Sequence, residues 1–151
     1  MRRFLYDTSI FIYALGREHP YKDPCRAILA RAGTEELRGE ASADLLQELA
    51  HQRFRRTGNR AEASEAARGA ARLCKLHALE PDDVQRGIDL FGAHAALDAR
   101  DAVFAAVALN RGIDTILATD RAFDEVRGLE RIDPADEKGV AGLIGYSPHA
   151  K

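Results

Sequence analysis

The sequence predicts a single α/β domain with a mainly parallel central sheet and helices on both of its faces. Two observations predict it. Short apolar runs at Arg3–Tyr6, Glu36–Ala41, Leu76–Leu79, Thr115–Thr119 and Leu129–Ile132 alternate with longer segments of helical character, and strands that alternate with helices pair in parallel through crossovers. The chain has 151 residues, 46% hydrophobic and 30% charged. That suffices to bury one core without staples, and it is too apolar for a disordered chain. No internal repeat, low-complexity tract or linker divides it.

The elements run in order along the chain. Arg3–Tyr6 is an apolar run ending at Asp7 and reads as a buried first strand. Ile10–Leu15 reads as a helix stopped by Gly16. Pro20 and Pro24 bracket a loop, and Cys25–Ala32 is the next helix, closed by Gly33. After the strand Glu36–Ala41, Ser42 is placed to cap a helix running to about Arg56, with Leu45, Leu46, Leu49 and Phe54 on one side. Thr57-Gly58-Asn59 is a turn. A helix rich in Ala and Arg then runs from Ala61 to about Lys75, and Asp82 and Asp83 open another that reaches about Phe91. Asp98–Asn110 is the most apolar helix, capped by Gly112. Thr115–Thr119 is a strong strand that ends at Asp120. A short helix through Val126 and an edge strand Leu129–Ile132 complete the domain, 1–134. The tail, 135–151, carries Gly139, Gly142, Gly145 and Pro148 and is expected to be loosely ordered and of unknown role.

Charge and cysteine usage exclude several classes. With 22 Lys and Arg against 24 Asp and Glu, the formal net charge is −2, which argues against coating nucleic acid or membrane by bulk charge. Cys25 and Cys74 stand alone, with no zinc-ligand spacing and no disulfide framework, as in a reducing compartment. The charge-free run Thr8–Gly16 is far below the ~20 residues of a membrane-spanning helix. Arg2-Arg3 followed by an apolar stretch resembles a signal peptide, but Asp7 interrupts it and no small-residue cleavage site comes after it. The expectation is a soluble, cytoplasmic protein without a membrane partner.

Sites in open α/β sheets form outside the carboxyl ends of the strands. Two strands here end in an acid, Asp7 and Asp120. If they are neighbours, both carboxylates point into one crevice. Glu48 flanks the stripe Leu45/Leu46/Leu49, and Asp101 opens the apolar helix where it can face the same crevice. Taken singly, each has a plain structural explanation. Asp7 and Asp120 can each cap the helical turn next in the chain, Asp101 stands three residues after Asp98 in a capping arrangement, and Glu48 can be a solvated helix residue. Taken together, four clustered carboxylates repel one another and raise each other's pKa. A divalent cation relieves that, and all-oxygen ligation suits Mg²⁺ or Mn²⁺, ions that assist phosphodiester cleavage.

The same residues carry a resemblance. Asp7-Thr8-Ser9-Ile10-Phe11-Ile12, Leu45-Leu46-Gln47-Glu48-Leu49, Asp101-Ala102-Val103-Phe104-Ala105-Ala106 and Asp120-Arg121-Ala122-Phe123-Asp124 stand in an order and spacing that resembles the PIN-domain family, and within it the VapC-type toxins of bacterial toxin–antitoxin pairs. The resemblance covers nearly the whole chain to Pro134. It implies an endoribonuclease dependent on Mg²⁺ or Mn²⁺, with the acidic positions at Asp7, Glu48, Asp101 and Asp120. Of these, Asp7 and Asp101 would be the most direct ligands, and Asp124 an additional acid found in some members. Thr8, Ser9 and Thr119 are neighbouring hydroxyls that either serve the site or the phosphate, or cap helices. The resemblance further implies an RNA substrate, a cognate VapB-type antitoxin and a homodimer.

For RNA, residues 51–75 hold Arg53, Arg55, Arg56, Arg60, Arg68, Arg72 and Lys75 against Glu62 and Glu65, a local charge of +5. Arg53, Arg55, Arg56 and Arg60 are the candidate phosphate contacts, although a solvated pair of helices explains the run equally well. Phe54 either stacks a base or joins the core. His51, His77 and His94 lack ligand spacing and read as structural. Two alternatives remain. A phosphatase of the haloacid dehalogenase type would need a second acid two residues after Asp7, where Ser9 stands. A binding module that has lost catalysis would not need all four acids. With those four acids assigned to metal, 22 positive charges face 20 negative, so a loaded enzyme would present a positive face.

Overall fold

Leu5 and Tyr6 form β1, the centre of a five-stranded parallel sheet ordered β3-β2-β1-β4-β5. The computed structural model describes residues 2–144. In chain order β1 (Leu5–Tyr6) is followed by α1 (Ser9–Leu15), α2 (Lys22–Gly33), β2 (Gly39–Ser42), α3 (Asp44–Thr57), α4 (Arg60–Leu73) and β3 (Cys74–His77). Then come α5 (Pro81–Ala93), α6 (Ala99–Asn110), β4 (Thr115–Leu117), a 3-10 turn (Arg121–Glu125), β5 (Glu130–Ile132) and α7 (Glu137–Ala141). Leu5 is in register with Glu40 of β2 and Ile116 of β4, and Tyr6 with Leu117. The chain steps outward on one side through β2 and β3, then returns through α5 and α6 to place β4 on the other side of β1. The strand order therefore reverses between β1 and β4, and a crevice opens at their carboxyl ends. Helices α1 to α4 pack together as one group and α5 packs on α6 as another, the grouping expected when right-handed crossovers run outward on one face of the sheet and back on the other.

Burial accounts for the strands. Every residue of β1, β2 and β4 is buried, as expected of strands covered on both faces. β3, at the edge, is only partly covered. Helix α6 is apolar all round because it lies between the sheet and α5. Phe104, Ala105, Val107 and Ala108 join the core, while Gly87 of α5 lets the helices approach until a Cβ there would come within 2.7 Å of Val103.

Local signals set most boundaries. Gly58 takes the left-handed conformation (φ 64°) that ends α3, and the Asn59 side chain accepts from the Glu62 N–H to open α4. Glu80 and Asp83 form a reciprocal capping box on α5. Other boundaries differ from expectation. Pro24 lies inside the first turn of α2, where a missing N–H costs nothing. Ser42 belongs to β2, and Ala43 holds the N-cap position of α3. β3 begins at Cys74, two residues before the apolar run, because it pairs with β2 from Gly39↔Cys74 to Ser42↔His77.

The expectation of a loose tail fails for residues 135–144. The Asp136 side chain accepts from the Gly139 N–H at 3.1 Å to cap α7, and Val140 and Leu143 are buried in the core. Gly145, Pro148 and the remainder of the tail lie outside the described residues. Among the described residues no helix is long and apolar enough to cross a membrane.

Candidate active site

Asp7 comes directly after β1, and its N–H donates to the Leu117 carbonyl at 3.0 Å, which extends the β1–β4 pairing by one residue. That bond fixes Asp7 at the switch point with only 5% of its surface exposed. Its Oδ2 accepts from the Ser9 N–H at 3.2 Å. Asp120, three residues past β4, holds the opposite lip, its Oδ1 accepting from the Ala122 N–H at 2.9 Å. Glu48 arrives from α3, next to the buried Leu45 and Leu49, and accepts from the Thr8 hydroxyl at 2.9 Å. Asp101 arrives from the first turn of α6, where its N–H donates to the capping Asp98 at 2.8 Å. All four acids line one cleft of about 560 Å³, together with Thr8, Ser9 and Thr119. The Ser9 hydroxyl accepts from the Thr119 N–H at 3.4 Å and joins the two strand ends across the crevice.

Electrostatics mark this cleft. Burial pushes the Asp7 carboxyl up to about 6; hydrogen bonds from Ser9 oppose the rise and the charge of Glu48 adds to it. Asp101 is pushed up to about 8, first by burial and then by the charges of Asp7, Asp98, Asp120 and Glu48. Glu48 is raised by burial, against the Thr8 hydrogen bond and the Arg100 guanidinium, which lies 3.8 Å away. Acids this reluctant to ionise side by side constitute a site short of positive charge. A hard divalent cation fits the oxygen-only donor set. Among the described residues no three metal-binding side chains stand in a preformed ligating cage. Each acid is instead held by its own neighbours at the wall of the cleft.

The remaining candidates divide. Asp124 is half-exposed outside the cleft and paired with Arg131, Nε to Oδ1 at 3.0 Å. The structure thus leaves it out of the acidic group, because the 3-10 turn after Asp120 carries it to the β5 side. Arg53 is 12% exposed and not a free phosphate contact. Its guanidinium donates to the Leu15 carbonyl at 3.1 Å and to Glu62 at 2.9 Å, tying α3 to the end of α1 and to α4. Arg56 does line the cleft. Arg55 is exposed on α3. Arg60 lies over the Phe54 ring at 4.5 Å, so this partly exposed ring is engaged by a cation rather than in the core. His77 is structural as expected, hydrogen-bonded to buried Glu40 at 2.8 Å.

Several residues at the cleft escaped the sequence reading. Tyr13 of α1 and Arg17, Glu18 and His19 of the loop between α1 and α2 line it, and beside it Arg100 of α6 pairs with Glu48. No spacing rule signals a loop residue, because only the packing of α1 against α2 determines where that loop lies.

A parallel sheet with carboxylates converging at its switch point defines the class. The PIN domain model matches residues 4–129, and the chain belongs to the PIN-domain family. Within it the chain sorts with the VapC ribonucleases. Ribonuclease VapC7 of Mycobacterium tuberculosis is 34% identical over 142 residues, covering 92% of this chain and 96% of that protein. Two solved structures share the fold. DNA-bound VapBC from Salmonella typhimurium superposes with a TM-score of 0.65 at 18% identity, over 89% of this chain and 99% of that one. A toxin–antitoxin complex from Klebsiella pneumoniae gives 0.61 at 17% identity, over 89% and 98%.

Proposed function

We propose that the protein is a metal-dependent endoribonuclease, the toxin of a VapBC-type toxin–antitoxin pair, and that it acts in the cytoplasm. The observation that carries this reading is the convergence of Asp7, Glu48, Asp101 and Asp120 on one cleft, with Asp7 raised to about 6 and Asp101 to about 8. Asp7 and Asp101 would hold a Mg²⁺ or Mn²⁺ ion, with Glu48 and Asp120 completing the donor set. The bound ion supplies charge neutralisation at the phosphate and a lowered pKa for water.

The chain's own groups do the rest. Thr8 aims the Glu48 carboxylate, and the Ser9 backbone orients Asp7. Arg17 and Arg56 on the rim hold the RNA backbone without reading sequence. The expected products carry 5′-phosphate and 3′-hydroxyl ends. The phosphatase alternative fares worse, since Ser9 occupies the position of the second acid and its hydroxyl is engaged by Thr119.

The antitoxin belongs to the same reading. An inhibitor that places a basic side chain among these acids would compete with the cation by charge complementarity. Homodimerisation is supported by α5, whose Val84, Ile88 and Phe91 are 36%, 61% and 50% exposed and stand at one-turn intervals along one side of the helix. The decisive experiment is RNA cleavage with Mg²⁺ or Mn²⁺ present and after chelation, for the natural chain and for Asp7→Asn and Asp101→Asn. Cleavage that requires the ion and disappears in both variants is expected. Undiminished cleavage in both variants would overturn the assignment.

A further inference from the structure

Three aromatic rings gather beside the cleft, Tyr13 from α1 and His19 and Tyr21 from the loop between α1 and α2. Tyr13 and His19 both line the cleft, with ring centroids 4.6 Å apart. Tyr21 completes the group, 5.3 Å from Tyr13 and 5.7 Å from His19, its ring inclined 16° to the imidazole. The group is firmly mounted. The Tyr21 hydroxyl donates to Asp133 at 2.7 Å, and the Lys22 N–H donates to the His19 carbonyl at 2.9 Å. Glu18 and Lys22 form an ion pair at 3.2 Å across the loop. The Tyr21 N–H donates to His19 Nδ1 at 3.1 Å, which holds the orientation of the imidazole. Both tyrosines are partly buried, while His19 is exposed.

Nothing in the carboxylate chemistry uses these rings. Tyr13 and Tyr21 also pack against the core, but packing does not account for His19, which is open to solvent while lining the cleft. Arg17, two residues before His19, and Arg56 place positive charge beside them. Cationic side chains that track a backbone, next to an aromatic face, are what a protein needs to seat single-stranded nucleic acid. Paired bases in an A-form helix have no free face, whereas an unpaired base can be splayed onto such a ring.

We infer that Tyr13, His19 and Tyr21 form a stacking platform, with His19 as its exposed face, for one unpaired base flanking the bond that is cut. The inference rests on the nuclease reading for its substrate, and its test measures binding so that the two can fail separately. Fluorescein-labelled dodecameric oligouridylate and an abasic ribose-phosphate dodecamer are titrated against Asp101→Asn protein, in which turnover is removed. The oligouridylate should bind at least about fivefold tighter than the abasic chain. Adding His19→Ala should abolish that preference, and His19→Phe, which keeps a ring, should retain it. Equal affinity for the two oligomers with the platform intact would overturn the inference. So would a full preference in His19→Ala, or a loss in His19→Phe as complete as in His19→Ala. Cleavage by the unsubstituted chain is read separately and bears on the nuclease reading alone.

Discussion

Asp101→Asn should make the metal-free protein more stable while it abolishes cleavage. The Asp101 carboxyl is held up to about 8, by burial first and by the charges of Asp7, Asp98, Asp120 and Glu48 next. In the unfolded chain it returns to about 3.9. The folded state therefore binds its proton more tightly, and raising the pH favours unfolding. The cost begins as pH rises past the unfolded value, grows through the folded value near 8, and is constant above it. At about 1.36 kcal/mol per pH unit the upper bound is ~6 kcal/mol. Asp101 is only partly buried, so solvent screening reduces this to about 2–3 kcal/mol, or roughly 4–12 °C in Tm for a domain of this size. The assay is thermal unfolding of chelated protein from pH 5 to 9. The natural chain should lose stability as pH rises, and the gap in favour of Asp101→Asn should widen up to pH 8. Saturating Mg²⁺ should narrow the gap by stabilising the natural chain alone. A gap that does not change with pH, or a variant less stable at pH 8, would refute the account of the site as buried, mutually repelling acids.

Further outcomes can be checked independently. Arg56→Glu should weaken RNA binding and lower the slope of log affinity against log salt by about one; an unchanged slope would remove Arg56 from the RNA path. Arg53→Ala, which strips the Leu15 carbonyl and Glu62 of their donor, should cost roughly 1–3 kcal/mol in urea unfolding with RNA affinity unaltered. Arg111 and Asn110, together with the Glu80 N–H, hold the buried Asp83 carboxyl down to about 2, with the Arg111 hydrogen bond the largest cause. A depressed acid contributes stability above its unfolded pKa and loses it as pH falls from about 4 towards 2. Asp83→Asn should accordingly remove about 1–2 kcal/mol at pH 7 and almost nothing near pH 2. Ile88→Asp on the exposed side of α5 should lower the mass in sedimentation to that of a monomer; an unchanged mass places any dimer contact elsewhere.

Much of the candidate site's layout was legible because its signals are local. Asp7 ends an apolar run, Asp101 stands after its capping Asp98, and Asp120 begins a turn. Each acid is placed by its own few residues of chain, so the strand or helix that carries it can be read without knowing the fold. The misreadings share one physical origin. Arg53 and Arg56 look alike in sequence and stand three apart, yet Arg53 is drawn in against Leu15 and Glu62 while Arg56 reaches the cleft. Asp124 lies four residues from Asp120, and a single 3-10 turn sends it to Arg131 instead. The glycines of the tail suggested looseness, but Val140 and Leu143 find a place in the core that no local rule could supply.

The sequence by itself determined the class of fold and singled out four acids, with the expectation that a hard cation would join them. Those come from the period of apolar residues and from the charge that clustered acids must shed. Only the tertiary structure decided that β1 and β4 are neighbours, that the four acids line one cleft, and that Arg17 and His19 of the loop after α1 stand with Tyr13 of α1 at its rim. Those depend on strand order and helix packing, which are contacts between residues far apart in the chain and leave no periodicity along it.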